Sequence, residues 1–255
     1  KSVIFSFQGN FYALLVAYIL RKKIIVRSNL APEAWSGNSF KKLIFKFLLS
    51  KSNMIIVNSL EFKKKFKKYF NLNVTKIYNP INSNNNHYKR FKFKDNFFKK
   101  NTINLINIGR LVVQKNQSEI INALSKVKNN NKFRLLILGK GPEKNRLIEL
   151  IKDKKLNLIV KISDNQKAKF FYLKKSDVFV LSSLFEGLPN VLLEAAINKK
   201  YIISTNCPTG PKEILKVYRY GEMYKPNSEN QLVNILSNLS LNKNRLKKLK
   251  KNINL

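Results

Sequence analysis

Acidic side chains are scarce in this 255-residue chain: 14 Asp and Glu stand against 50 Lys and Arg, a formal net charge of +36. That imbalance suits an anionic partner, whether nucleic acid, a membrane surface or a phosphorylated substrate. Lys, Asn and Ile also crowd loops where they serve no evident purpose, so a general compositional bias explains the same excess. Composition leaves the two readings open. The excess is denser early on, since residues 1–100 hold 21 basic and 3 acidic side chains. Cysteine is almost missing. The lone Cys207 permits no internal disulfide, which suits a reducing cytosol. Histidine occurs once, at His87 within a polar stretch, which argues against a His-based metal site and marks His87 as a solvated bystander. The four aspartates (Asp95, Asp153, Asp164 and Asp177) form no Asp-x-Asp pair of the kind that holds a catalytic divalent ion. No metal is therefore expected.

Long apolar runs are also lacking. Ser2 to Leu20 carries no charge, but Ser6, Gln8, Gly9 and Asn10 interrupt it. The remaining run, Phe11 to Leu20, is about half the length of a membrane span and reads as a buried helix after a strand. The chain begins with Lys and shows no signal-peptide pattern, so it reads as a fragment. What is present is a foldable polymer: 44% of residues are hydrophobic and 18 are Phe, enough for two modest domains or one large one.

Short apolar runs at residues 3–7, 23–27, 54–59 and 74–81 read as strands, with helices expected at 11–20, 40–49 and 61–70 between them. Phe62, Phe66, Tyr69 and Phe70 share one face of the 61–70 helix, opposite lysines. Such a helix either packs on a core or lies on an anionic bilayer. Arg27 and Asn29 sit where the second strand ends, as a phosphate contact and a sugar contact or as ordinary strand-end and turn residues. Asn82 to Lys100 is polar and Asn-rich without apolar period and reads as a linker. The expected division is 1–95 and 96–255.

From Thr102 onward strands and helices alternate, which implies a parallel sheet covered on both faces. Strands are expected at 103–108, 135–138, 159–162, 177–181 and 201–205. Helices are expected at 117–127, 143–152 and 166–176, from Asn190 onward, and over the lysine-rich tail 232–255. Asn116 is placed to cap the first of these helices. Gly109-Arg110 and Lys115 bracket the loop between a strand end and a helix start, where two cations can neutralise a diphosphate. Gly139 and Gly141 shape the following turn.

The stretch Ser182-Ser183-Leu184-Phe185-Glu186-Gly187-Leu188-Pro189-Asn190 then leads from a strand into a helix carrying Glu194. Helical side chains lean toward the N-terminus, so Glu194 points toward the loop of Glu186. Two carboxylates that accept hydrogen bonds from polyol hydroxyls, beside unpaired helix N–H groups, fit a sugar nucleotide.

Phe185 through Glu194 resembles the Glu-x7-Glu motif of retaining glycosyltransferases of family 4, which have the GT-B fold. Asn107 to Asn116, Leu135 to Pro142 and Pro208 to Leu215 resemble three further segments of that family, in the same order over about 110 residues. The resemblance implies α/β architecture with two Rossmann-like domains on parallel sheets, the N-terminal one incomplete and the C-terminal one binding the donor. It implies transfer of a sugar from a nucleoside-diphosphate sugar to a glycan or lipid-linked acceptor, with retention of configuration and no cofactor. Arg110 and Lys115 would hold the diphosphate, Glu186 the sugar hydroxyls and Glu194 the ribose. Gly109, Gly187, Leu188, Pro189 and Asn190 would make backbone contacts, and Ile162 would lie near the base. The setting implied is cytoplasmic, with an anionic membrane surface as a candidate partner and no nucleic acid. The alternative is a basic α/β protein that binds membrane or nucleic acid and has lost catalysis.

Overall fold

The structure is a computed structural model that describes residues 2–7, 10–28, 39–80 and 95–241. Within it the chain forms two compact units, Lys1–Pro80 and Ile81–Leu255. His87, Asn29, most of the linker and the tail beyond residue 241 lie outside the described residues.

The first unit alternates strand and helix: β1 (Val3–Ser6), α1 (Asn10–Ile19), β2 (Lys23–Ser28), α2 (Ser39–Ser50), β3 (Met54–Val57), α3 (Leu60–Phe70) and β4 (Thr75–Lys76). The strands pair in parallel in the order β1-β2-β3-β4. Successive right-handed crossovers between adjacent strands put all three helices on one face. The core shows this: Leu14, Ala17, Phe45, Leu48, Phe66 and Phe70 pack with Ile24, Val26, Ile55 and Val57. Alternate strand residues point the other way, and there Val3, Phe5 and Met54 are exposed. The last strand is much shorter than the expected 74–81, because pairing with β3 is limited to Ile56↔Thr75 and Val57↔Lys76.

Helix α3 has complete ends. Ser59 accepts a hydrogen bond from the Phe62 N–H at 3.1 Å, and Asn71, in left-handed conformation, closes the C-terminus beside Lys67 and Lys68. Its aromatic face goes inward: Phe62, Phe66 and Phe70 are each 1% exposed. Of the two readings of this helix, the packed one holds.

The second unit follows as β5 (Ile103–Ile108), α4 (Gln117–Lys126), β6 (Phe133–Leu138), α5 (Lys144–Asp153), β7 (Val160–Ser163) and α6 (Lys169–Lys175). Then come β8 (Val178–Leu181), α7 (Asn190–Ile197), β9 (Tyr201–Thr205), α8 (Pro211–Tyr218), β10 (Gly221–Tyr224) and α9 (Glu229–Leu241). The six parallel strands lie in the order β10-β9-β8-β5-β6-β7. Every residue of β5, β8 and β9 is buried, as a sheet covered on both faces requires. Strand β10 was not expected, since its Gly-Glu-Met-Tyr sequence carries little apolar signal. The helix expected over 166–176 instead opens with a separate 3-10 turn, Gln166–Ala168. Asp95 accepts hydrogen bonds from Lys161 at 2.8 Å and Tyr172 at 2.5 Å, which ties the linker's end to this unit.

One glycine here has no substitute. A Cβ on Gly139 would sit 1.8 Å from the Gly109 carbonyl oxygen, so the turn after β6 presses backbone on backbone against the end of β5.

The packing of α3 yields a prediction. Phe66→Ala should destabilise the first unit by about 3–5 kcal/mol, read as a lower urea midpoint. Lys64→Ala, on the exposed side, should change it by less than about 0.5 kcal/mol.

Candidate active site

Strand order reverses at β5. Its own crossover runs toward β6, whereas that of β8 runs the opposite way toward β9. In open α/β sheets ligands bind in the crevice beyond the strand ends at such a switch point. The sheet also parts there. β5 pairs with β6 at six positions but with β8 only at Leu105↔Val178 and Ile106↔Phe179. Beyond that, the Asn107 side-chain amide donates to the Val180 carbonyl at 2.9 Å, a side chain standing in for a ladder bond.

The loops that follow β5 and β8 are laced together. Leu184 N–H donates to the Gln114 carbonyl at 2.9 Å and the Gln114 side chain to the Phe185 carbonyl at 2.8 Å. Ser182 donates to the Lys115 carbonyl at 2.8 Å. At the centre the Lys115 ammonium pairs with Glu186, whose same oxygen accepts from the Ser183 hydroxyl at 2.5 Å. The two side chains are 15% and 7% exposed, so the pair is largely shielded from water.

A third loop, after β9, braces Glu186 from behind. Glu186 N–H donates to the Pro208 carbonyl at 3.4 Å, and the Thr209 hydroxyl donates to the Glu186 carbonyl. Thr209 holds φ at 67°, an uncommon conformation for a β-branched residue and the sort of strain that gathers at functional sites. Gly210 follows with φ at 87°, and a Cβ there would strike the Gly187 carbonyl oxygen at 2.1 Å. The segment Thr209-Gly210 thus fixes the backbone of Glu186-Gly187. Cys207 lies close by, but burial pushes its thiol up to about 11, which keeps it protonated.

The expected site residues are distributed as follows. Gly109 and Arg110 leave β5, and Arg110 is exposed; among the described residues nothing pairs with its guanidinium, though its carbonyl accepts from Gln117 at 2.9 Å. Glu186 and Gly187 are half-buried, Leu188 and Pro189 buried, and Asn190 exposed as the first residue of α7. Pro189 occupies the cap position of α7, one residue before the helix proper. Ile162 lies half-buried near the end of β7, two strands from β5.

Glu194 stands in the second turn of α7, but its carboxylate is held by Lys169 of α6 at 2.8 Å rather than joined to Glu186. Its other oxygen is buried and has no hydrogen-bond partner in the structure. Each carboxylate therefore has its own lysine. Lys169 was not foreseen, being one of many lysines with no local signature, and neither were the supports Ser183, Thr209 and Asn107.

Asn116 corrects an expectation. It adopts φ 46°, and its side chain makes no capping bond but donates to Glu119 at 3.1 Å. Glu119 is buried in the first turn of α4 beside the Tyr224 hydroxyl, and desolvation raises its carboxyl to about 7.

Two predictions follow from this geometry. Lys115→Met should cost on the order of 3 kcal/mol because Glu186 loses its partner, and the double variant Lys115→Met/Glu186→Leu should recover most of that in urea unfolding. For Glu119, the folded carboxyl lies above its ordinary value of 4.5, so the folded state holds the extra proton between about 4.5 and 7. Stability relative to Glu119→Gln should therefore fall as pH rises through that window and level off above it, as urea midpoints at several pH values would show.

Comparison with known proteins agrees with this layout. The family described as "Glycosyl transferases group 1" matches residues 89–254. A glycosyltransferase of Methanocaldococcus jannaschii, itself uncharacterized, is 38% identical over 208 residues, covering 74% of this chain and 49% of its own length. The N-acetylgalactosamine-N,N'-diacetylbacillosaminyl-diphospho-undecaprenol 4-alpha-N-acetylgalactosaminyltransferase of Campylobacter jejuni is 27% identical over 261 residues, 98% of this chain and 69% of that protein. The chain thus spans about half the length of the archaeal relative. Among solved structures, Anabaena HepE in complex with UDP superposes with a TM-score of 0.77 at 18% identity, over 99% of this chain and 72% of that one, which shows a shared fold. The chain has the GT-B fold and belongs to the group 1 glycosyl transferases.

Proposed function

We propose that the crevice between β5 and β8 binds a nucleoside-diphosphate sugar and that the protein transfers its sugar, with retention of configuration, to a glycan or lipid-linked acceptor. The observation that carries this is the Lys115–Glu186 pair spanning the switch point, with the unpaired Arg110 guanidinium at its rim. Arg110 and Lys115 present two cations to a diphosphate and stabilise the charge that grows on it as the glycosidic bond breaks. Glu186, fixed by Ser183 and Thr209, accepts from sugar hydroxyls. Glu194 offers a buried, unbonded oxygen to the two ribose hydroxyls. Gly109, Gly187, Leu188, Pro189 and Asn190 line the phosphates and sugar with backbone groups, and Ile162 contacts the base.

Retention fits this layout as the family 4 Glu-x7-Glu pattern does: the acceptor attacks from the side the diphosphate leaves, and a leaving phosphate oxygen takes the acceptor proton. No metal is invoked, since side-chain cations supply the charge. The UDP complex of Anabaena HepE supports a nucleotide in this crevice, and the diphospho-undecaprenol acceptor named for the Campylobacter relative supports a lipid-linked acceptor. Such an acceptor places the reaction on the cytoplasmic face of a membrane.

Thermal stabilisation by UDP-, GDP- and ADP-sugars tests the donor site. One nucleotide should stabilise the chain, and Glu194→Ala and Arg110→Ala should each weaken its binding about ten- to a hundredfold, as loss of a charge-assisted hydrogen bond would. Absence of any nucleotide effect, together with salt-dependent binding of duplex nucleic acid, would overturn the reading.

A further inference from the structure

We propose that the outer face of the α1–α2 pair is a docking surface for an anionic lipid bilayer. It goes beyond the transfer reading and does not rest on it. These two helices bury one side against the sheet and leave an apolar ridge on the other. Along α2, Phe40, Leu43 and Phe47 stand at helical spacing and are 71%, 65% and 46% exposed. Tyr18 of α1 meets Phe47 edge to face at 5.5 Å, and Leu15, one turn earlier, is also exposed. Exposed apolar residues that adjoin in this way mark an interaction surface, unlike scattered ones.

The surroundings choose the partner. A cleft of about 230 Å³ opens between the helices, with Leu14, Ala17 and Leu48 in its floor and Arg21, Lys22 and Lys51 around it. Lys51 also lies over the Phe47 ring at 5.4 Å. Through residue 60 the described residues contain no carboxylate at all. Aromatic and aliphatic side chains beside a purely cationic fringe match the boundary between acyl chains and phosphate headgroups. Lysine stems extend over apolar surface while their ammonium groups reach phosphate. A further protein layer would belong on the open sheet face, where Val3, Phe5 and Met54 are exposed, and would leave the outer side of the helices free. Helix α3, with its aromatic face buried, offers lysines without the apolar ridge.

Flotation with phosphatidylcholine vesicles, and with vesicles in which roughly a third of the lipid is phosphatidylglycerol, tests this. The chain should float only with the anionic vesicles. Leu43→Ser/Phe47→Ser should reduce partitioning about tenfold or more, given the apolar area removed. Arg21→Gln/Lys51→Gln should reduce it severalfold, and the control Lys64→Gln/Lys68→Gln on α3, with equal charge loss, should leave it nearly unchanged. Urea unfolding verifies that the variants, all at exposed positions, remain folded. Four results would overturn the proposal. The chain might fail to bind anionic vesicles, or the α3 control might weaken binding equally, which would mean diffuse charge. The Leu43/Phe47 variant might bind as the parent does, or its effect might be only loss of self-association in sedimentation, which would make the ridge a contact between copies.

Discussion

Two neighbouring strands that part company are the constraint on which this architecture turns. β5 and β8 hold each other at two positions and then diverge, with Asn107 bridging the gap by a side-chain amide. Divergence opens a crevice, and a crevice lined by backbone would collapse or flood unless the loops above it were tied. Lys115 and Glu186 supply the tie. The pair is shielded enough that either charge alone would be costly, so the geometry of each loop depends on the other. Thr209 and Gly210 add a brace from β9, in backbone conformations that few residues tolerate. The result is a rigid, charged slot at the sheet's switch point, held by three loops rather than one.

How much of this was legible in the sequence varied with the range of the interaction. Local features were. Alternation of apolar runs with 3.6-periodic stretches gave the order of strands and helices, since burial of each element leaves its own period in the chain. The glycines, Pro189 and the two glutamates could be placed on loops and helix turns because each acts within a few residues of itself. Long-range partnerships were not. Lys169 holds Glu194 across 25 positions, and Thr209 reaches Glu186 across 23, with nothing in either segment to announce the other. Asn116 shows the converse: a good capping residue by type adopts a left-handed conformation and bonds Glu119 instead. Strand β10 escaped because four residues with one glycine and one glutamate carry too little pattern, although pairing with β9 suffices to hold them.

Charge is the property that sequence alone places least well. Fifty basic residues are visible at once, but which of them share a surface with apolar side chains depends on packing. The 61–70 helix displays an aromatic stripe and lysines in its sequence, and the fold spends that stripe on the core. α1 and α2 carry weaker amphipathic signals because apolar residues go nearly all the way round them. It is their outer side that stays uncovered.

Hydrogen–deuterium exchange with and without a stabilising nucleotide sugar tests the central claim most directly, that the β5–β8 crevice is the donor site. The account predicts slowed exchange confined to two segments, the 109–117 loop with the start of α4 and the 183–194 stretch with the start of α7. Protection of other segments by a bound nucleotide sugar, with these two unchanged, would contradict it.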